Sequence, residues 1–367
     1  MTTKLVFENL KHKPMRSLLS FLLIGVPVTL ILTLVGLAHG MLEDSQNRAR
    51  GVGADLVVRG SNVSSIINFS PPAISASYVD YLNDHVPHVK MATGIISNMV
   101  DFPVVMNGID PGQFDRMNGG FDYAAGHPLR GPDDILIDTL YAAQKKLQVG
   151  QTFKLINHNW HVAGIIEGGK LSRIVVQAKT LQALIMPETP NKVSQIWVKL
   201  DNPSNDDAVA KVIEESTGLK VNTMAEFIAL FSAGNINGLN EFIYVLMGLG
   251  VGIGFVVVCL SQYMAVLQRT REIGILKSLG ASKGFILKII LAEALVLGMG
   301  GTIIGIAMSY GAWWVIRTFV PASLPMIIVY SWWPIAGAIT LVGALLGALY
   351  PGLSAARSDP IEALAYE

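Results

Sequence analysis

Long apolar stretches at both ends of the chain enclose a region of mixed pattern. Residues 17–42, 242–268 and 318–356 contain no Asp, Glu, Lys or Arg. A helix that crosses a bilayer needs about 20 apolar residues. The apolar pattern predicts four transmembrane helices, over residues 18–40, 242–267, 285–316 and 333–350.

Between the first two predicted spans, the apolar residues occur in short runs and at the spacings of strands and amphipathic helices, which is typical of a globular domain. Apolar runs predict strands, among them residues 54–59, 133–138 and 195–200, and a hairpin over residues 152–166. Helical spacing is found over residues 75–85, 139–147 and 205–217. In the last of these helices, Asn205 is the predicted N-cap, and the predicted buried face consists of Val209, Val212 and Ile213.

These patterns together define the predicted fold class. We expect an α-helical membrane protein with four transmembrane helices and a mixed α+β extracytoplasmic domain between helices 1 and 2. The predicted segments are an N-terminal segment with the first membrane helix (1–42), the extracytoplasmic domain (43–241) and a C-terminal membrane region (242–367) with a cytoplasmic loop at 268–284.

Composition and charge agree with a membrane protein. The chain is 51% hydrophobic and 15% charged, with a mean hydropathy of +0.47. Its 27 basic and 27 acidic residues balance, so net charge suggests no nucleic-acid partner. Basic residues precede the first span and follow the second, which predicts cytoplasmic N and C termini. The single cysteine, Cys259, rules out an internal disulfide framework.

The loop after the second predicted span is the most informative segment. Residues 269–282 read RTREIGILKSLGAS, an apolar surface flanked by charges and followed by Gly280, which can stop a helix. A short amphipathic helix of this kind suits docking into a groove on a cytoplasmic partner. The same composition also suits a basic loop that lies on lipid headgroups, and the residues alone leave both readings open.

The sequence of this loop resembles the coupling segment of the MacB/FtsX-like ABC permeases, R-x-x-E-I-G-x-L-[RK]-A-[LI]-G-A, with Ser278 where Ala is usual. Residues 9–18 resemble the family's approach to its first membrane helix. Residues 350–364 resemble its C-terminal P-x-x-x-A-A-[RK]-x-[DN]-P-[IV]-E-A-L pattern. The order of one helix, a large domain and three helices is also typical of that family.

The resemblance implies a half-transporter in a bacterial inner membrane. Two such permeases, identical or paired with a homologue, would be served by two copies of a separate ATPase that binds ATP and Mg²⁺, so we expect no cofactor in this chain. The family's ATPase-coupling positions correspond here to Arg271, Glu272, Ile273, Gly274, Lys277, Leu279, Gly280 and Ala281. Such permeases are expected to work by mechanotransmission, in which ATP-driven motion at the coupling segment is passed to the outer domain.

The residues show no catalytic machinery of their own. A Walker A loop needs G-x-x-x-x-G-K-[ST], and the nearest fragment, residues 168–172, lacks the first glycine and the adjacent hydroxyl. His158 and His161 are three apart in a predicted strand, so they lie on opposite faces and do not predict a metal site. We therefore predict that the chain is not an enzyme.

Two further features have both a functional and a structural reading. Glycines at small-xxx-small spacing in the second span, Gly248, Gly250, Gly252 and Gly254, suit a dimer seam or packing within one protomer. The loop over residues 61–72 has an apolar centre of Ile66, Ile67 and Phe69. This centre suits a contact with cargo or an accessory protein, and it equally suits a contact with the chain's own core or with the other protomer. Glu293 and Lys288 in the third span are ionisable groups within a predicted membrane helix, which makes them functional candidates, but a structural role is the favoured interpretation.

The predicted function is export or extraction of an amphipathic or hydrophobic cargo. The alternative is an FtsX-like signal transducer that activates a cell-wall hydrolase, and the large outer domain argues against it. Membrane lipid surrounds the helices. The sequence does not choose the cargo, its direction or the homodimer over the heterodimer, and it leaves open whether a periplasmic adaptor joins.

Overall fold

The computed structural model describes residues 14–60, 72–101, 104–188, 191–230, 239–268, 270–320 and 324–357. The chain divides into two compact units. The membrane unit comprises residues 1–39, 238–315 and 326–367. The second unit, called the inserted domain below, comprises residues 40–237 together with residues 316–325.

The described helices, numbered in chain order, are α1 (Pro14–Arg50), α2 (Ser77–His85), α3 (Pro111–Asn118), α4 (Thr139–Lys145), α5 (Ala178–Ile185), α6 (Asp206–Thr217), α7 (Met224–Ala229), α8 (Leu239–Gln268), α9 (Thr270–Ser278), α10 (Lys283–Phe319) and α11 (Trp332–Arg357). The described strands are β1 (Leu56–Arg59), β2 (Ile74–Ser75), β3 (Val89–Asp101), β4 (Val104–Ile109), β5 (Tyr123–Gly126), β6 (Asp134–Asp138), β7 (Thr152–Leu155), β8 (His158–Ile166), β9 (Ile174–Gln177), β10 (Lys192–Val193), β11 (Gln195–Leu200) and β12 (Lys220–Thr223).

Four of these helices, α1, α8, α10 and α11, are long and apolar enough to cross a membrane. The predicted number of spans and the mixed domain after the first helix are therefore confirmed. The helices are longer than the apolar pattern indicated. In particular, α1 continues ten residues beyond the predicted end at Gly40, because residues 41–50 form an amphipathic extension that belongs to the inserted domain.

Glycines bring the membrane helices close together. A Cβ added at Gly305 of α10 would lie 2.5 Å from Cβ of Val28 and 2.7 Å from the carbonyl oxygen of Gly25, both in α1. A Cβ at Gly347 of α11 would lie 2.5 Å from the carbonyl oxygen of Phe255 in α8. Helix backbones therefore pack at distances that only glycine allows.

A large sheet organises the inserted domain. Its strand order is β12-β1-β11-β3-β4-β9-β6-β8-β5, with β7 paired to β8 as the predicted hairpin. The pairs β4–β9 and β6–β8 are parallel, and the other pairs in this sheet are antiparallel. The first strand, β1, pairs with the last, β12, in the register Leu56 to Thr223 and Arg59 to Lys220.

Both faces of the sheet are covered, so the domain has two cores. Leu56 and Val58 point into a core that includes residues of α2, α4, α5 and α6. Val57, between them, points into a second core with residues of α3, α7 and the end of α1. Burial on both faces explains why strands such as β6 read as continuous apolar runs rather than as alternating patterns.

Two details predicted for α6 are wrong. Val212 is 46% exposed, because the buried stripe runs through Val209 and Ile213, four residues apart, and Val212 lies beside it. Asn205 does not cap the helix with its side chain. It is the last residue of a 3₁₀ turn, Pro203–Asn205, and the side chain of Asn202 caps that turn by accepting a hydrogen bond from Ser204.

Candidate functional site

The predicted docking segment forms a short helix, α9, between two long membrane helices. The helix ends at Ser278 and is followed by Gly280, whose φ of +93° an L-residue rarely adopts. The amide of Ala281 donates to the carbonyl of Leu276 at 2.9 Å and closes the turn. The Ser282 hydroxyl then accepts from the amide of Phe285 and caps α10. Local capping therefore fixes the bend between the two helices.

An exposed apolar patch is formed by two residues of α9 and by Leu279, which directly follows the helix. Leu279 is 80% exposed and Ile275 is 44% exposed, and Leu276 lies beside them. On the opposite side Gly274 is buried and Ile273 is half-buried against the membrane helices. A three-residue apolar patch of this kind, held on a rigid turn, can insert into a groove on another protein.

The other predicted coupling residues surround this patch. Glu272 is exposed, and Lys277 and Ala281 are half-buried. The side chain of Arg271 lies outside the described residues. The coupling role of these eight residues stays a prediction, because geometry within one chain does not test what they bind.

A cavity of about 110 Å³ lies behind α9, between the end of α8 and the start of α10. Of the lining residues that the structure describes, three are polar, Gln262, Glu272 and Glu293, and the rest are apolar. Gln262 is 1% exposed, and within the described part of the chain neither of its amide atoms has a hydrogen-bond partner. The cavity is large enough for about three water molecules. Its lining is therefore mostly apolar, with one polar side chain each from α8, α9 and α10.

A buried ring of charges fastens the end of α1 within the inserted domain. Arg48 donates to Asp138 at 2.8 Å and to Asp44 at 3.0 Å, and Arg173 donates to the same two carboxylates at 3.0 and 2.8 Å. Burial and the nearby charge of Arg48 lower the pKa of Arg173, and both aspartates act in the opposite direction. We refer to these four residues as the charge ring.

The charge ring and Gln262 were not among the residues predicted from the sequence. The ring joins α1 to residues about 90 and 130 positions away, so no local spacing reports it. The available signal was a set of charged residues at the ends of predicted elements, with Asp138 at the start of a predicted helix. Gln262 was visible as a polar residue inside a predicted membrane helix.

The predicted dimer-seam glycines divide into two groups. A Cβ at Gly250 would lie 2.8 Å from Cδ1 of Ile31, so this glycine packs against α1 of the same protomer. Around Gly248, Gly252 and Gly254, no described atom lies within 4 Å of an added Cβ. The dimer seam stays a prediction. The loop candidates Ile66, Ile67 and Phe69 lie outside the described residues.

The two histidines of β8, His158 and His161, each contact a carboxylate. His158 pairs with Asp133 at 2.8 Å and His161 with Asp134 at 3.1 Å. Within the described part of the chain, no group of three His, Cys, Asp or Glu residues could hold a metal ion. Burial alone would raise the pKa of Asp134. Hydrogen bonds from the amides of Gly131 and Arg130 and from His161 have a larger effect in the opposite direction, so the pKa lies below its ordinary value.

Comparisons with known proteins agree with this architecture. A family model described as MacB-like periplasmic core domain matches residues 17–216, and one described as FtsX-like permease C-terminal matches residues 244–360. The chain is 23% identical over 392 residues to an uncharacterized ABC transporter permease, MJ1507, of Methanocaldococcus jannaschii, covering 98% of this chain and 96% of that one.

A second relative is longer than this chain. The chain is 25% identical over 397 residues to a probable export ATP-binding/permease protein MacB of Pseudomonas entomophila, covering 99% of this chain but only 58% of that protein. In structure, the chain is similar to the periplasmic region of MacB from Actinobacillus actinomycetemcomitans, with a TM-score of 0.36 and 13% identity over 48% of this chain and 91% of that one.

Fold and site define a class, the multi-pass membrane proteins with a large mixed domain inserted after the first helix and a short amphipathic helix between two later spans. Matches to both family models extend over most of the chain. The chain belongs to the MacB/FtsX-like family of ABC transporter permeases.

Proposed function

We propose that this permease couples ATP hydrolysis in a separate ATPase chain to motion of the inserted domain, and that this motion exports or extracts an amphipathic or hydrophobic cargo. The exposed apolar patch of Ile275, Leu276 and Leu279 carries the proposal, because a soluble partner can cover it. In this proposal the ATPase takes the patch into a groove, and its ATP and Mg²⁺ stay within the ATPase.

Helix geometry supports transmission of force from α9. The buried side of α9 packs against the membrane helices through Ile273, so displacement of α9 acts directly on its neighbours. The 30 residues of α8 span about 45 Å, more than the roughly 30 Å thickness of the hydrocarbon layer. A helix of that length transmits a push at one end to the other side of the bilayer.

The arrangement of subunits is part of the proposal. In this proposal the ATPase is a separate chain, present in two copies with two permeases in a bacterial inner membrane. Both termini and α9 would face the cytoplasm. Nothing in the described structure favours the signal-transducer alternative, so one function is proposed.

A single charge placed in the apolar patch tests the docking. Leu279→Asp should abolish co-purification of the ATPase and the permease-dependent part of ATP hydrolysis, because a carboxylate replaces the most exposed apolar side chain of the patch. Ser278→Asp is the matched control, since it adds the same charge one residue earlier, at another exposed position. Equal ATPase binding by both variants and the wild type would remove α9 from the interface.

Cargo is tested by mass spectrometry of the complex purified from native membranes in mild detergent. We expect an ATPase together with a bound lipophile, lipoprotein or export partner. Recovery of an ATPase with a cell-wall hydrolase and no cargo would contradict the transport proposal and leave the docking at α9 intact.

A further inference from the structure

Arg59, the last residue of β1, is a buried cation without a counter-ion. It is 4% exposed, and it forms no ion pair with any described carboxylate. Its Nη2 donates to Oδ1 of Asn222 at 2.6 Å, but its Nε and Nη1 atoms have no hydrogen-bond partner among the described residues. Burial lowers the pKa of Arg59, and no carboxylate offsets that effect. Buried charges in proteins are ordinarily paired, so this arginine calls for an explanation.

The residues around Arg59 contribute a further positive charge and a further hydrogen-bond donor. Lys220 of β12 is its direct cross-strand partner, and like charges in that position destabilise a sheet unless something bridges them. The Arg59 guanidinium lies 5.6 Å from the ring centre of Phe227, and Trp197 packs edge-on against the same ring. The indole N–H of Trp197 is also buried, and no described atom accepts a hydrogen bond from it. All the unpartnered atoms in this cluster are donors.

The described residues of the inserted domain place no carboxylate against this cluster. The nearest carboxylate in its hydrogen-bond network, Glu226, is separated from Arg59 by the amide of Asn222, which donates to it at 3.4 Å. In the inserted domain, the segments outside the described residues contain no Asp or Glu. The side chain of Asp101 is also undescribed, but Asp101 is six residues along β3 from Ile95, about 20 Å away, and Ile95 pairs with β11 beside β1.

We propose that Arg59 and Lys220 bind an oxyanion, a carboxylate or phosphate group, at the β12 edge of the inserted domain. A guanidinium offers directional N–H donors that suit the oxygens of these groups, and Lys220 adds a mobile charge. Lys220 is exposed and β12 is the edge strand of the sheet, so the group approaches from solvent past Lys220. The site is independent of α9 and of the proposed coupling to an ATPase.

The test measures the unfolding temperature of the full chain in phosphatidylcholine nanodiscs while sodium phosphate or sodium acetate is added. Sodium chloride at equal ionic strength is the reference. For the wild type we expect a saturable rise above the chloride reference. In Arg59→Gln the concentration that gives half of this rise should increase at least about tenfold, because a charge-assisted contact is lost. Arg116→Gln, at an exposed arginine of the same domain, is the matched control and should respond like the wild type.

Additional measurements distinguish the source of the oxyanion and control for misfolding of the variant. The oxyanion is a lipid headgroup if the wild type is stabilised relative to Arg59→Gln only after phosphatidylglycerol is added to the nanodiscs. It is a soluble ligand if phosphate or acetate stabilises the wild type. If Arg59→Gln does not fold, Lys220→Gln at the exposed position must weaken the response. Identical responses of the wild type and the variants to every oxyanion and lipid would overturn the proposal.

Discussion

Asp138 performs two tasks with one carboxylate. Its Oδ1 accepts the amide of Tyr141 and caps α4, while its Oδ2 accepts from Arg48 and Arg173 in the charge ring. The side chain is fully buried, so each task takes place at low dielectric. At the residue scale, the end of α1 is therefore held by a carboxylate that the domain also needs for its own folding.

Asp138→Asn separates the two tasks. The amide oxygen still caps α4, but the ring loses one of its negative charges and leaves two buried arginines facing Asp44 alone. Breaking a buried ion pair costs about 3–5 kcal/mol, so the free energy of unfolding should fall by about that amount. Urea denaturation followed by tryptophan fluorescence measures it. The control is Asp133→Asn, whose side chain is 59% exposed and whose loss should cost about 1 kcal/mol or less. Equal losses in both variants would contradict a structural role for the ring.

Asp134 gives the inserted domain a defined dependence on pH. Its pKa in the folded chain lies below the ordinary 3.8 of an unfolded aspartate. Its contribution to stability is therefore fully present above pH 3.8 and is lost as pH falls through the lower folded pKa. We expect Asp134→Asn to be less stable than the wild type at pH 6, with a gap that narrows below about pH 4. Urea denaturation across this range checks the sign, and a gap that widens in acid would contradict it.

At the scale of elements, prediction succeeded where burial leaves a local pattern. The strand Gln195–Leu200 was predicted with its observed bounds, and β6 within one residue, because strands covered on both faces are continuous apolar runs. The four membrane helices followed from hydropathy. The end of α1 was missed, because residues 41–50 carry polar side chains and pack one face against the domain. The order of the strands in the sheet depends on contacts between residues far apart in the chain, so a local sequence pattern does not predict it.

The glycine contacts between α1 and α10 make an element-scale prediction. Gly305→Ala should lower the unfolding temperature of the purified chain, because the new Cβ has backbone and a branched side chain of α1 at less than 3 Å. Gly311→Ala in the same helix is the control, since no described atom lies within 4 Å of its added Cβ. That substitution should leave stability unchanged or raise it slightly, as alanine favours the helix. An equal fall in both variants would show that helix-helix contact is not the cause.

At the scale of the whole molecule, the glycines of α8 separate the predicted dimer seam from packing within one protomer. In a Cys259→Ser background, Gly252→Cys should form a disulfide between protomers under mild oxidation, because Gly252 has open space beside it. Gly250→Cys should not, because that position faces Ile31 of its own chain. Non-reducing gel electrophoresis distinguishes the two. Cross-linking at position 250 but not at 252 would place the seam on another face.

The pairing of β1 with β12 sets how the inserted domain bears mechanical load. Leu56, near the start of the domain, and Thr223, near its end, are register partners at the same end of two antiparallel strands. Forces that draw these two points apart load the hydrogen bonds one after another, as in opening a zipper. Forces that move both points together load none of them. The inserted domain is therefore stiff when its two attachments move together and weak when they are drawn apart, so the proposed transmission of motion would require both attachments to move in step.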